Sequence, residues 1–152
     1  CRSPVAEALL KSRLKEANLA DWQASSAGTW AGTGSSAAPF SVALMAERGL
    51  DIQAHRSQPV TEALVSRADL ILCMEGEHVR FLQESFPHHR HKIYTARQMV
   101  NKNGDVADPY GGSRQQYAEM VAELAELIEQ GLPKIQRLAQ DNFQKREAHG
   151  AN

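Results

Sequence analysis

Apolar residues follow two rhythms along this chain, a helical spacing and short unbroken runs, and their alternation predicts a fold. Val5, Ala8, Leu9 and Leu14 recur mostly at helical intervals, while Lys11, Arg13, Lys15 and Glu16 face outward. A first helix is therefore expected from Ser3-Pro4 to about Asn18. Ser3 can cap its first free N–H groups, and Pro4 suits the opening turn, where its missing N–H is not needed. Trp22 to Ala27 (WQASSA) reads as a short strand, and Gly28 opens a Gly/Ser/Ala-rich loop that reaches Ala38. After Pro39, the residues Val42, Leu44 and Met45 fit a second helix that Gly49 stops.

The stretch from His55 to Ser57 is expected to be extended, with a helix following from Pro59 to about Ser66. Leu70-Ile71-Leu72-Cys73-Met74 is the most apolar run. It is short for a helix and has the character of a buried parallel strand. Glu75 to Ser85 reads as helix, Lys92 to Thr95 as strand, and an irregular segment then carries Asp108-Pro109-Tyr110-Gly111-Gly112-Ser113. Ser113 can cap a long last helix whose buried stripe is Tyr117, Met120, Val121, Leu124, Leu127 and Ile128. Short strands alternating with helices imply an α/β fold in three layers, a parallel sheet covered by helices on both faces. No repeat or linker divides the chain, so one domain is expected over residues 1–139, followed by a polar, frayed tail over 140–152.

Composition narrows the function classes. The 152 residues are 42% hydrophobic and 23% charged, with 17 Lys+Arg against 18 Asp+Glu, which excludes extensive disorder. A formal charge of −1 gives no whole-protein reason to expect nucleic acid or an anionic membrane as partner. No stretch approaches the ~18 consecutive apolar residues of a membrane-spanning helix. Two cysteines, Cys1 and Cys73, form no disulfide framework, so a cytoplasmic location is expected.

Ligands of open parallel sheets gather at the loops that lead into helices, and this chain begins at such a place. Arg2 and Ser3 stand at a helix N-terminus, whose unpaired N–H groups and positive dipole end suit an anion. The planar fork of Arg2 matches phosphate oxygens. Alone, the same residues read more readily as a capped helix with an exposed terminal Arg. Pro109 biases Asp108 toward an extended backbone, so its carboxyl can be aimed as a general acid beside Tyr110; alone, Asp-Pro and Gly-Gly make an ordinary turn. Trp30, just after a strand end, can wall a pocket or be a half-buried surface Trp. His55 can hydrogen-bond a loop or be simply solvated. His88, His89 and His91 flank Arg90 without the partner spacing of a closed metal site, and Cys73 fits an inert core thiol.

Together, CRSPVAEAL, SAGTW, the His55 segment, ADLILCME and DPYGGS followed by Tyr117 resemble the low-molecular-weight protein tyrosine phosphatase family. The resemblance runs from Cys1 to about Leu132 and leans toward bacterial members, which include a branch acting on protein phosphoarginine. It implies a four-stranded parallel sheet flanked by helices and a phosphate loop of the form Cys-(x)5-Arg-Ser between the first strand and first helix. Arg2 and Ser3 match the end of that loop, and Cys1 matches the variable position before the Arg. The nucleophilic cysteine would then stand five residues ahead of Cys1. The chain accordingly reads as truncated at its first strand, and the 152 residues alone are expected to be inactive for want of that thiol.

The resemblance implies a cysteinyl-phosphate mechanism with Arg2 as oxyanion clamp and Asp108 as general acid/base. Ser3, Ser26 and His55 support the phosphate loop, while Trp30 and Tyr110 bind the substrate side chain. Phosphorylated proteins or small phosphoesters are the implied substrates, and neither metal nor cofactor is needed, since Arg2 and the loop amides supply positive charge. An arsenate reductase on the same scaffold is the enzymatic rival, but it needs further cysteines to carry electrons, and Cys73 alone is at hand between Leu72 and Ile93. A non-catalytic phosphate binder that keeps Arg2 is the rival of another class; there, Asp108 would only weaken anion binding.

Overall fold

A computed structural model describes residues 2–29 and 32–150. Its contacts divide the chain into two compact units, one formed by the residues up to Val60 together with Val106–Glu129, the other by Thr61–Asp105 and the residues from Gln130 onward.

In the first unit, α1 spans Ser3–Glu16 and α2 spans Pro39–Glu47. Helix α1 buries Val5, Leu9 and Leu14 and ends at Glu16, and Asn18, at φ 59°, turns the chain away from the helix. Helix α2 buries Leu44 and Met45 and stops before Gly49, whose φ of 77° is the left-handed turn that favours glycine. The first part of a long helix, α5 (Arg114–Gly150), adds Met120 and Leu124 to this core. Its start is a capping box: the Gln116 N–H donates to Ser113 Oγ at 3.3 Å, and the Ser113 N–H donates to Gln116 Oε1 at 2.8 Å. Phe40 of α2 meets Tyr117 of α5 edge to face, with ring centroids 5.4 Å apart.

The second unit holds the sheet. Strands β1 (Ile71–Cys73) and β2 (Ile93–Thr95) pair in parallel, with Leu72 opposite Tyr94. Parallel pairing needs a crossover, and α4 (Gly76–Ser85) with a 3-10 turn (Pro87–Lys92) supplies it. Ahead of the sheet, α3 (Glu62–Arg67) is capped by Thr61, whose Oγ1 accepts from the Leu64 N–H at 3.2 Å. Lys92 is buried, and its ammonium donates to the Ala68 carbonyl at 2.6 Å and the Ser66 carbonyl at 3.4 Å, meeting the negative end of α3. Burial lowers its pKa.

Three expectations are corrected. Residues 22–27 make no ladder; a single parallel bridge joins Gly28 to Pro59, because a strand exists only where a neighbour takes its backbone groups. Ser3 is not the cap of α1. Arg2 holds that position with a helical backbone and no side-chain cap bond, and Ser3 is the first helical residue. Residues 140–150 are helical rather than frayed, because Asn142 donates to the Asp69 carbonyl at 2.9 Å and Arg146 pairs with the Asp69 carboxylate at 2.9 and 3.3 Å. Among the described residues no helix is long and apolar enough to cross a membrane.

Candidate active site

Helix α1 carries the candidate site. Its first-turn N–H groups have no acceptor one turn earlier, no acidic residue stands in that turn, and Arg2 sits at the positive end of the dipole. Arg2 is only 8% exposed. One arm of its guanidinium donates to the Val106 carbonyl at 2.6 Å, and Nη2 lies 3.8 Å from Asp108 Oδ2. The Asp108 side chain is about half exposed, and its Oδ1 accepts the Tyr110 N–H at 3.1 Å. That bond closes a turn around the buried Pro109 and aims the carboxylate. Two residues far apart in sequence are thus brought together, one cationic and fixed by its backbone partner, the other anionic and open to solvent.

Glu7, one turn into α1, gathers a second group. The Ser26 hydroxyl donates to Glu7 Oε1 at 3.2 Å, His55 Nδ1 stands 3.8 Å from Oε2, and Lys11 Nζ stands 3.5 Å from the same oxygen. The Gln58 amide donates to the Ser26 carbonyl at 3.0 Å, next to the Gly28–Pro59 bridge. Ser26 and His55, picked out from sequence, are therefore brought together by a residue that sequence reasoning passed over. The available signal was an acid inside the apolar opening PVAEALL.

The other sequence candidates fall less centrally. Ser3 is half buried in the first turn of α1, and the ring of Tyr110 is 82% exposed beside Asp108. Trp30 and Cys1 lie outside the described residues. His88, His89 and His91 sit on the 3-10 turn; burial and the neighbouring Lys92 lower the pKa of His89 and of His91. Among the described residues no group of three or more His, Cys, Asp or Glu could hold a metal ion. Cys73 is 7% exposed in β1, and burial pushes its thiol up to about 12 from 9.0. A thiol held protonated in this way is neither nucleophile nor redox partner at neutral pH.

The family model for low molecular weight phosphotyrosine protein phosphatase matches residues 1–143. The chain belongs to this family. Among its relatives is a protein-arginine-phosphatase of Bacillus subtilis (strain 168), 38% identical over 131 residues and covering 86% of each chain. A probable low molecular weight protein-tyrosine-phosphatase, EpsP, of Ralstonia nicotianae is 36% identical over 138 residues, covering 91% of this chain and 90% of that one. A solved structure of YwlE arginine phosphatase, a mutant with a phosphorylated active-site serine, superposes with a TM-score of 0.85 at 37% identity, covering 91% of this chain and 92% of that one. Within the low molecular weight phosphatase family, the α/β fold with a parallel sheet is the shared scaffold.

Proposed function

We propose that this protein is a phosphatase of phosphorylated protein side chains, phosphotyrosine or phosphoarginine, working through a cysteinyl-phosphate. The observation that carries the reading is the pairing of Arg2, at the positive end of α1, with the half-exposed carboxylate of Asp108 at 3.8 Å. An anion clamp and a proton donor are what a phosphoryl transfer needs on its two sides. On this reading the attacking thiol is a cysteine five residues ahead of Cys1, and the sheet has four parallel strands with the phosphate loop following the first.

In the first step the thiolate attacks phosphorus, the bond to the leaving oxygen or nitrogen breaks, and Asp108 protonates the departing atom. Arg2 and the first-turn N–H groups of α1 hold the phosphoryl oxygens while charge spreads over them. In the second step a water gives its proton to Asp108 and attacks phosphorus, which releases inorganic phosphate and regenerates the thiolate. Ser3, Ser26 and His55 support the loop, the latter two through Glu7. Tyr110, exposed beside Asp108, and Trp30 bind the body of the substrate. A relay of electrons to arsenate through Cys73 is disfavoured by its buried, protonated thiol.

The test is Asp108→Asn in the full-length gene product, assayed on aryl phosphates of graded leaving-group pKa. The expected result is a loss in kcat/KM of about 10²-fold or more for phenyl phosphate, and a much smaller loss for p-nitrophenyl phosphate. Equal losses would remove Asp108 from the acid role. Parallel assays on phosphotyrosyl and phosphoarginyl peptides separate the two substrate classes.

A further inference from the structure

We propose that the C-terminal end of α1 carries a second binding site, one that takes a small planar aromatic anion between Trp22, Lys11 and Lys15.

The way the helix ends builds the site. Asn18, at φ 59°, is the left-handed residue of a Schellman turn: the Leu19 N–H donates to the Leu14 carbonyl at 2.9 Å, and the Asn18 N–H donates to the Lys15 carbonyl at 3.1 Å. The Trp22 N–H then donates to the Leu19 carbonyl at 3.1 Å, which closes a second tight turn. Backbone bonds therefore fix the positions from which Leu14, Leu19 and Trp22 project. These three residues, with Lys11, Lys15 and Gln23, line an open depression of about 780 Å³. That volume falls within the range of small-molecule sites, about 300–1,000 Å³.

The lining offers two kinds of surface. Leu14 is buried, Leu19 and Trp22 are half buried, and together they present an apolar wall with one aromatic face. Lys11 and Lys15, neighbours one turn apart on α1, add two positive charges, and no acidic residue lines the depression. Lys11 keeps a loose pair with Glu7 at 3.5 Å while its side chain is 57% exposed. Neither ammonium is needed to cap the helix, because the carbonyls of Arg13, Leu14 and Lys15 accept the N–H groups of Ala17, Leu19 and Asn18. A flat ring gains by packing on the indole, and an acidic group on that ring meets the ammonium groups where water is partly excluded. A neutral ring would leave both charges unused, and a small inorganic anion would leave the apolar wall wet. The site is separate from the candidate active site, since Lys15 lies about 20 Å along α1 from Arg2. It stands whether or not the phosphatase reading does.

The test is calorimetric titration of the full-length gene product with 2-naphthoate and with its neutral counterpart, 2-naphthamide. The expected result is one 2-naphthoate per chain, bound in the millimolar range or tighter, at least fourfold more tightly than the amide and more weakly as salt is raised. Lys11→Gln and Lys15→Gln should each weaken 2-naphthoate about two- to fivefold, and Trp22→Leu about threefold or more. The two lysines are on the surface, so their variants decide the matter even if Trp22→Leu does not fold. Arg2→Gln and an excess of inorganic phosphate should leave the binding unchanged. Loss of binding in Arg2→Gln, or displacement by phosphate, would move the ligand to the active site and overturn the proposal. Equal affinity for the amide, indifference to both lysine variants, or no saturable binding in the millimolar range would overturn it as well.

Discussion

Cys73 offers a test of how far the burial of one side chain controls its chemistry. In the 152-residue chain, replacing Cys1 by Ser leaves Cys73 as the single thiol. Its pKa of about 12 against an ordinary 9.0 sets the thiolate fraction at pH 7.5 near 3 × 10⁻⁵, compared with about 3 × 10⁻² for an exposed thiol, a ratio of roughly 10³. Ellman's reagent should therefore modify the folded Cys1→Ser chain at least about 10³-fold more slowly than the same chain in urea. The same shift has a stability consequence with a definite sign. The folded-state pKa lies above the unfolded one, so the contribution is fully present below pH 9 and is lost as pH rises toward 12. By pH 10.5 the loss is about 2 kcal/mol, from 1.36 kcal/mol per unit. Urea titrations of the parent and of Cys73→Ala at pH 8 and pH 10.5 should show the stability gap between them narrowing by about that amount. Modification of the folded protein within tenfold of the unfolded rate, or a gap that does not change with pH, would refute the burial argument and return Cys73 to the list of reactive groups.

Two further expectations follow from particular contacts. Glu7→Ala and Ser26→Ala should be coupled in a double-mutant cycle by about 0.5–1.5 kcal/mol, because the Ser26 hydroxyl donates to Glu7; thermal melts of the four proteins measure it, and additivity would show the bond to be unimportant. Gly131 lies inside α5, where Ala is normally favoured by about 1 kcal/mol. A Cβ there would come within 2.9 Å of Met99 Cβ, and overpacking at about 1–3 kcal/mol outweighs that gain. Gly131→Ala should thus lower the urea midpoint, and a more stable variant would contradict the close approach.

Much of the fold was legible because its signals are local. The apolar run around Ile71–Cys73, the short KIYT segment, Gly49 after α2 and the Ser113 cap each act through residues near in sequence, and the structure places β1, β2, α2 and α5 accordingly. The expectations that failed depended on partners. Residues 22–27 have strand composition but make no ladder, and residues 140–150 look like a tail but are helical. The latter are tied to Asp69, more than seventy positions away.

The site divides along the same line. Arg2, Ser3 and Asp108 could be named from motif residues alone, since phosphate chemistry restricts which side chains can serve. Glu7 and Val106 could not, because each acts by a bond to a distant residue: Glu7 to Ser26 and His55, Val106 to Arg2. Residue type and spacing decide what chemistry a chain can offer and where its helices and strands begin. Hydrogen-bond partners far apart in sequence decide where that chemistry points, because a side chain's direction is set by whatever satisfies it in three dimensions.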